Sequence, residues 1–464
     1  NKNGGIKMNK EIEKSRTLEI LSNKDVDYKK EVMAGITTFL TMAYIIAVNP
    51  SILGVTGMPT GALVTATCLA AGITTILMGI FANLPFALAS GMGLNAYFAY
   101  TVVLGMNISW ETALTAVFVE GIIFILLTAF KVREVIVKAI PKCLKNAVTA
   151  GIGLFIAFIG FQDAKVIVLN ESTLVSLGNF KMPTFLIAFL GLIIIAVLEK
   201  RKVKGSILIG ILCSTCAAWI YAMYDPSYAG ALGISLPNGM LKFESIVPIA
   251  GKIDFNYIFN TKNIGTFLTI VCTFLFVDFF DTIGTFVGVS SRAGLMDEEG
   301  NMKNMSKGLM VDAIGTTGGA CLGVSTVTTF VESSTGVAAG GRTGWTSVTT
   351  GILFLIAMFF SPLFIAIPTC ATAPALIYVG YLMLGSVKEI NFSDVTEGVP
   401  AFLTIALMPM AYSIGDGLTF GVLSYVIINI LYNLFFAKTK EEKHNISPIM
   451  IILGVVFILK LVMI

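Results

Sequence analysis

The sequence predicts an all-α, polytopic membrane protein. Three observations carry that reading. Of 464 residues, 56% are hydrophobic. Only 13% are charged, against about 25% in soluble domains. Apolar stretches of about 20 residues, enough to cross a bilayer as a helix, recur along the chain. The net charge of +3 gives no sign of a nucleic-acid partner, because the positive residues cluster between the apolar stretches.

Fourteen spans follow in order. The first seven cover 34–48, 60–82, 85–105, 110–130, 140–161, 181–198 and 205–224; the second seven cover 264–290, 308–322, 324–341, 344–360, 363–386, 397–412 and 417–437. Spans 3 (85–105) and 10 (324–341) are too short or too glycine-rich for uninterrupted helices. In each, a β-prone or glycine-flexed segment precedes a short helix, Ala87-Leu88-Ala89-Ser90-Gly91-Met92-Gly93 in one and Ser325-Thr326-Val327-Thr328-Thr329 before Glu332 in the other. A half-helix that starts within the membrane leaves free N–H groups and a partial positive dipole facing a polar cavity.

Basic residues orient the spans. Lys131, Arg133, Lys138, Lys142 and Lys145 follow span 4, and Lys200, Arg201, Lys202 and Lys204 follow span 6. The N-terminal segment 1–33 and the tail 438–464, with Lys438, Lys440 and Lys443, are also basic. With both termini cytoplasmic, every strongly basic connection falls on one side, as the positive-inside rule requires. The first apolar stretch follows some 30 polar residues and reads as a retained span rather than a secretory signal. The stretch 447–463 is expected to be a peripheral, non-spanning helix, with a re-entrant piece or a fifteenth span as the alternatives, because Lys460 interrupts its end.

The halves resemble each other. Thr38-Phe39-Leu40-Thr41 recurs as Thr266-Phe267-Leu268-Thr269, and Ile140-Pro141-Lys142-Cys143 recurs as Ile367-Pro368-Thr369-Cys370 at almost the same offset. Seven spans per half is an odd number, so the repeat is inverted, and such repeats hold their sites near the midplane at interrupted helices.

Two carboxylates stand out in the interior of apolar spans: Asp281 in span 8 and Glu332 in span 10. An acid at the centre of a spanning helix costs roughly 2.5–3.5 kcal/mol on insertion scales, and chains keep it where it faces a polar cavity or solute path. Asp278 lies one turn from Asp281 on the same face, and either ties span 8 to a neighbour or touches solute. Glu120 and Asp312 read as network residues, and Arg342 as an anchor. Thr41, Thr285 and Ser333 either touch solute or back-bond to helix backbone.

The seven cysteines are scattered. Cys213 and Cys216 have metal-like spacing, but no second such pair exists and the one histidine is His444 in the tail. Helix packing is the expected role of the pair, with no metal site and no cofactor. Without a metal cluster or a nucleophilic constellation an enzyme is not expected. A secondary transporter fits better. An anion exchanger shares the half-helix dipoles, but two acids would repel its substrate.

The segments PFALASGMGLNAYF (85–98), FVDFFDTIGTFVGV (276–289) and TTFVESSTGVAAGGRTG (328–344) resemble the nucleobase transporter superfamily (NCS2), specifically its AzgA-like purine permeases. The resemblance covers about residues 28–437. It implies the uracil-permease-like fold of seven plus seven inverted spans. A core domain (34–130 and 264–360) would pack on a gate domain (138–224 and 363–437). It implies proton-coupled import of purine bases across the cell membrane, hypoxanthine and guanine first, with adenine as the alternative in the same branch and an anion or another nucleobase as the further alternative on the fold. It also implies a homodimer through the gate domain. By the same resemblance Asp281 is the span 8 substrate ligand and Glu332 the span 10 acid, while Asn95 and Thr41 match polar positions of spans 3 and 1. Ser333 and Thr285 complete the expected substrate set. Glu332, Asp281 and Asp278 are the expected proton-coupling groups. Asp281 and Glu332 are expected to face one cavity from opposite broken-helix elements, close enough to share a proton.

Overall fold

The computed structural model describes residues 26–130, 140–259, 263–293, 304–437, 439 and 443–463. Lys131, Arg133, Lys138, Lys438, Lys440 and most of the segment 1–33 lie outside the described residues. Most of the described residues are helical, and eight of the described helical segments are long and apolar enough to cross a membrane. The first, Tyr28–Gly54, begins within the expected N-terminal segment and consists of α1 (Tyr28–Met42) and α2 (Ile45–Gly54), interrupted at Ala43–Tyr44. Next come α3 (Thr60–Leu77, extended as a π-helix by Met78–Ala82) and, beyond the interrupted third segment, α5 (Trp110–Ala129).

That third segment is strand β1 (Leu88–Ser90), then α4 (Met92–Ala96) continuing as a π-helix over Tyr97–Gly105. Helices α6 (Lys142–Asp163), α7 (Pro183–Lys200) and α8 (Ser206–Tyr224) complete the first half, followed by the short α9 (Pro226–Ala231) and α10 (Asn256–Phe259). The second half holds α11 (Ile264–Ala293), α12 (Met305–Leu322), strand β4 (Val327–Thr329) with α13 (Ser333–Ala338), and α14 (Gly344–Ala357). It continues with α15 (Ser361–Ile365), α16 (Thr369–Leu384), α17 (Val395–Met410) and α18 (Ile414–Phe435).

The tail stretch forms α19 (Pro448–Met463), whose Met450, Leu453 and Phe457 are buried. It packs on α18 and α11, with the Phe457 ring 6.3 Å from that of Phe276. Strands β2 (Ile167–Asn170) and β3 (Leu174–Leu177) form a hairpin that the span reading misses. The signal was present in VIVLNESTLVSL: two β-branched runs around Asn170, whose Oδ1 accepts from the Ser172 and Thr173 amides in a turn.

Small residues let helices approach closely. Gly344 of α14 faces Gly79 beside α3, and a side-chain carbon on Gly344 would overlap the Gly79 backbone. Gly153 of α6 meets Gly380 of α16 in the same way. Gly344→Val should therefore cost about 1–3 kcal/mol or more through overpacking. The check is thermal melting of the purified variant in detergent, and an unchanged midpoint would contradict this packing. One expectation fails here. Cys213 and Cys216 are exposed on the face of α8 turned away from the bundle, rather than packed inside it. Three residues apart on a peripheral helix, they share that outward face.

Candidate functional site

Strands β1 and β4 pair antiparallel, Leu88 with Thr329, Ala89 with Thr328 and Ser90 with Val327. Extended backbone within a membrane must have its polar groups satisfied by protein. Here the strands satisfy one another, and the pairing is extended by Gly91 N–H to Thr326 O at 3.0 Å and Phe330 N–H to Ala87 O at 2.9 Å. The outer edges are closed by hydroxyls. Thr75 of α3 accepts from the Leu88 amide at 2.9 Å, and Thr316 of α12 donates to Val327 O at 2.9 Å. The β-branched Val327-Thr328-Thr329 run favours the extended form. The interruptions of spans 3 and 10 therefore cross at one place, and each strand leads into a short helix.

Glu332 stands at the start of α13 and is half-buried. Its Oε1 accepts from the Tyr44 hydroxyl at 2.6 Å. Asp281 lies within α11 and is also half-buried. Its Oδ2 faces Gly91, where a side-chain carbon would stand 3.9 Å away. The helix that carries Asp281 packs against β4 and against α13, which Glu332 begins. Asp281 makes no side-chain hydrogen bond with the described residues, so its oxygens remain available in the site. The expected opposition of two broken elements is corrected in one respect. Only Glu332 sits at a break, because α11 runs as a continuous helix past Asp281.

The other expected residues divide by burial. Thr285, one turn beyond Asp281 on the same face, is buried. Thr41 is half-buried and shares a hydrogen bond with Thr335 Oγ1 at 2.9 Å, while its hydroxyl also back-bonds to Thr38 O at 2.8 Å. Ser333 accepts from the Ala87 amide at 2.9 Å, which holds α13 against β1. Asn95 is fully buried between Asn49 of α2 and Ser90, whose hydroxyl donates to Asn95 Oδ1 at 2.6 Å. Asp278 and Asp312 are fully buried around Thr282, whose hydroxyl lies 3.0 Å from Asp278 Oδ1, 3.1 Å from Asp312 Oδ2 and 2.9 Å from Thr328 Oγ1. Glu120 accepts from Thr326 at 2.8 Å. These three acids thus fasten α5, α11 and α12 around β4. Arg342 donates to the Gly341 and Val337 carbonyls at the end of α13, and Glu31 of α1 accepts from the Arg342 amide at 2.8 Å.

Sequence reasoning missed Tyr44, Thr282 and Asn49. For Tyr44 a signal existed, since it falls one turn after Thr41 in the same span. Its partner 288 positions away did not show.

Residues 29–419 match the Permease family. The chain belongs to this family, among its nucleobase permeases. It is 47% identical to the putative permease MJ0326 of Methanocaldococcus jannaschii, over 94% of this chain and 95% of that relative. It is 43% identical to the adenine permease AdeP of Escherichia coli, over 94% of this chain and 93% of that one. It is also 43% identical to the guanine/hypoxanthine permease PbuG of Bacillus subtilis, over 93% and 96%. These relatives are transporters, and the chain is a transporter rather than an enzyme. Its fold is similar to that of the transmembrane domain of the cyanobacterial bicarbonate transporter BicA, with a TM-score of 0.62 at 13% identity over 86% of this chain and 98% of that one.

Proposed function

We propose that this permease is a proton-coupled symporter that imports purine nucleobases across the cell membrane. The observation that carries the reading is the pair of half-buried carboxylates, Asp281 and Glu332, beside a strand crossing enclosed by helices. A neutral, planar base offers ring N–H groups to an ionised carboxylate and ring nitrogens or carbonyls to a protonated one. Asp281 acts mainly as the substrate ligand and Glu332 as ligand and proton carrier. Thr285 and Thr41 line the approach, while Ser333 and Asn95 hold the half-helices, and Asp278 relays or stabilises charge behind Asp281.

Hypoxanthine and guanine are the first choice of substrate. Adenine is the second reading, favoured by the equal likeness to an adenine permease. An anion is the disfavoured reading, because unit charges 4 Å apart repel by about 4 kcal/mol at an effective dielectric of 20. The transport cycle we infer uses fourteen spans as a seven-plus-seven inverted repeat with both termini cytoplasmic. A core (34–130, 264–360) moves against a gate (138–224, 363–437) and exposes one midplane site to each side in turn. The gate also offers a surface for a homodimer.

Radiolabelled uptake tests the substrate. A site built to hydrogen-bond a ring edge rejects ligands lacking the matching groups. Purine bases should therefore compete with labelled hypoxanthine, guanine or adenine, whereas uracil, nucleosides and sulfate compete poorly. Strong competition by uracil or uptake of sulfate would overturn the reading.

A further inference from the structure

We propose that Tyr44 is a positioning residue of the transport site, holding the Glu332 carboxylate in its working orientation; this rests on the reading of Glu332 as a substrate-site acid. The chain breaks between α1 and α2 at Tyr44, whose carbonyl accepts from the Ala47 and Val48 amides at 3.0 Å and so begins α2. The ring is fully buried, with 0% exposure. A phenol has one proton to donate, and at 2.6 Å from Glu332 Oε1 it is committed there.

A second contact runs parallel to the first. Thr41 meets Thr335 at 2.9 Å. Thr41 lies in the last turn of α1 with Tyr44 at the break beyond it, and Glu332 precedes α13 with Thr335 in its first turn. Beside them Gly336 packs so closely on Thr38 that a side-chain carbon at Gly336 would collide with the Thr38 hydroxyl. The start of α13 is thus fastened at three successive points to the end of α1 and the break that follows it. Two of them act on backbone position. Of the three, the Tyr44 hydroxyl is the contact made with the Glu332 carboxylate itself. It orients Oε1 toward α1 and removes rotamer freedom from a side chain that otherwise samples many conformations. The interruption of the first span therefore serves the site directly, by delivering a rigid donor to the acid at the other break.

The test is a double-mutant cycle on purified protein. Equilibrium binding of hypoxanthine, guanine and adenine is measured for wild type, Tyr44→Phe, Glu332→Met and the double variant, with uptake kinetics for Tyr44→Phe. Tyr44→Phe should weaken binding of the preferred base and raise its KM about tenfold, with Vmax and melting midpoint nearly unchanged. On the Glu332→Met background the same substitution should change binding less than about twofold, because the partner is gone. Should Glu332→Met fail to fold, Glu332→Gln replaces it, and the effect of Tyr44→Phe must then be smaller than in wild type. Unchanged affinity and KM in Tyr44→Phe, or an equal loss in both backgrounds, would overturn the proposal. Wild-type affinity in Glu332→Met would instead sink the reading of Glu332 as a site residue.

Discussion

Glu332→Gln should still bind and exchange purine but lose pH-driven accumulation. Glutamine has the shape of the protonated acid, and its amide oxygen can still accept from Tyr44, so the geometry at the start of α13 is kept. What disappears is the exchangeable proton. Moving one charge across 100 mV supplies about 2.3 kcal/mol, enough for roughly 50-fold accumulation of a coupled neutral solute. In vesicles with an imposed proton gradient, the steady-state inside-to-outside ratio should fall from tens to about one. Counterflow with preloaded purine should persist. A variant that still concentrates purine with an unchanged pH dependence would show that another group carries the proton. Asp281, Asp278, Glu120 and Asp312 would then be the groups to substitute.

The second large effect is expected at Asp281. Asp281→Asn keeps the size of the side chain but turns one acceptor oxygen into a donor facing the site. Among the described residues no side-chain hydrogen bond would be lost within the protein, so the loss falls on the solute. A hydrogen bond to a charged group contributes about 1.5–3 kcal/mol, and its removal should weaken purine binding roughly 10- to 100-fold. Asp278→Asn supplies the contrast. Asp278 is fully buried and bonded to Thr282 in the cluster that includes Asp312 and Thr328. Its substitution should lower the melting midpoint more than the affinity of the protein that remains folded. Titration of each variant with purine, beside thermal melting, separates the two. Wild-type affinity in Asp281→Asn would remove this residue from the ligand set.

The membrane class, the helical elements and the two unusual spans were legible because each rests on local pattern. Apolar runs longer than a bilayer is thick specify helices whatever they later pack against. Glycine around Ser90 and β-branched residues at 327–329 specify breaks. Asp281 and Glu332 were legible as misfits, acids in apolar surroundings. The hairpin at 167–177 carries its own turn signal, but its strands of four residues are too short to register as membrane spans.

What local pattern could not specify was pairing. Buried polar side chains need partners, but their identity depends on which helices meet. Ser333 is turned to the Ala87 amide and Asn95 to Asn49 and Ser90, so two candidates from sequence are engaged in holding the half-helices. Tyr44 reaches Glu332 across 288 positions. Cys213 and Cys216 face outward because α8 lies at the edge of the bundle, which no feature of their own helix encodes. The sequence by itself determined the family, the main helices, the breaks of spans 3 and 10 and the misplaced acids, since hydrophobic length, backbone propensity and misplaced charge act within a few residues. Only the tertiary structure decided which breaks cross, which acids stay open and which are fastened, because those outcomes depend on hydrogen bonds between segments far apart in the chain.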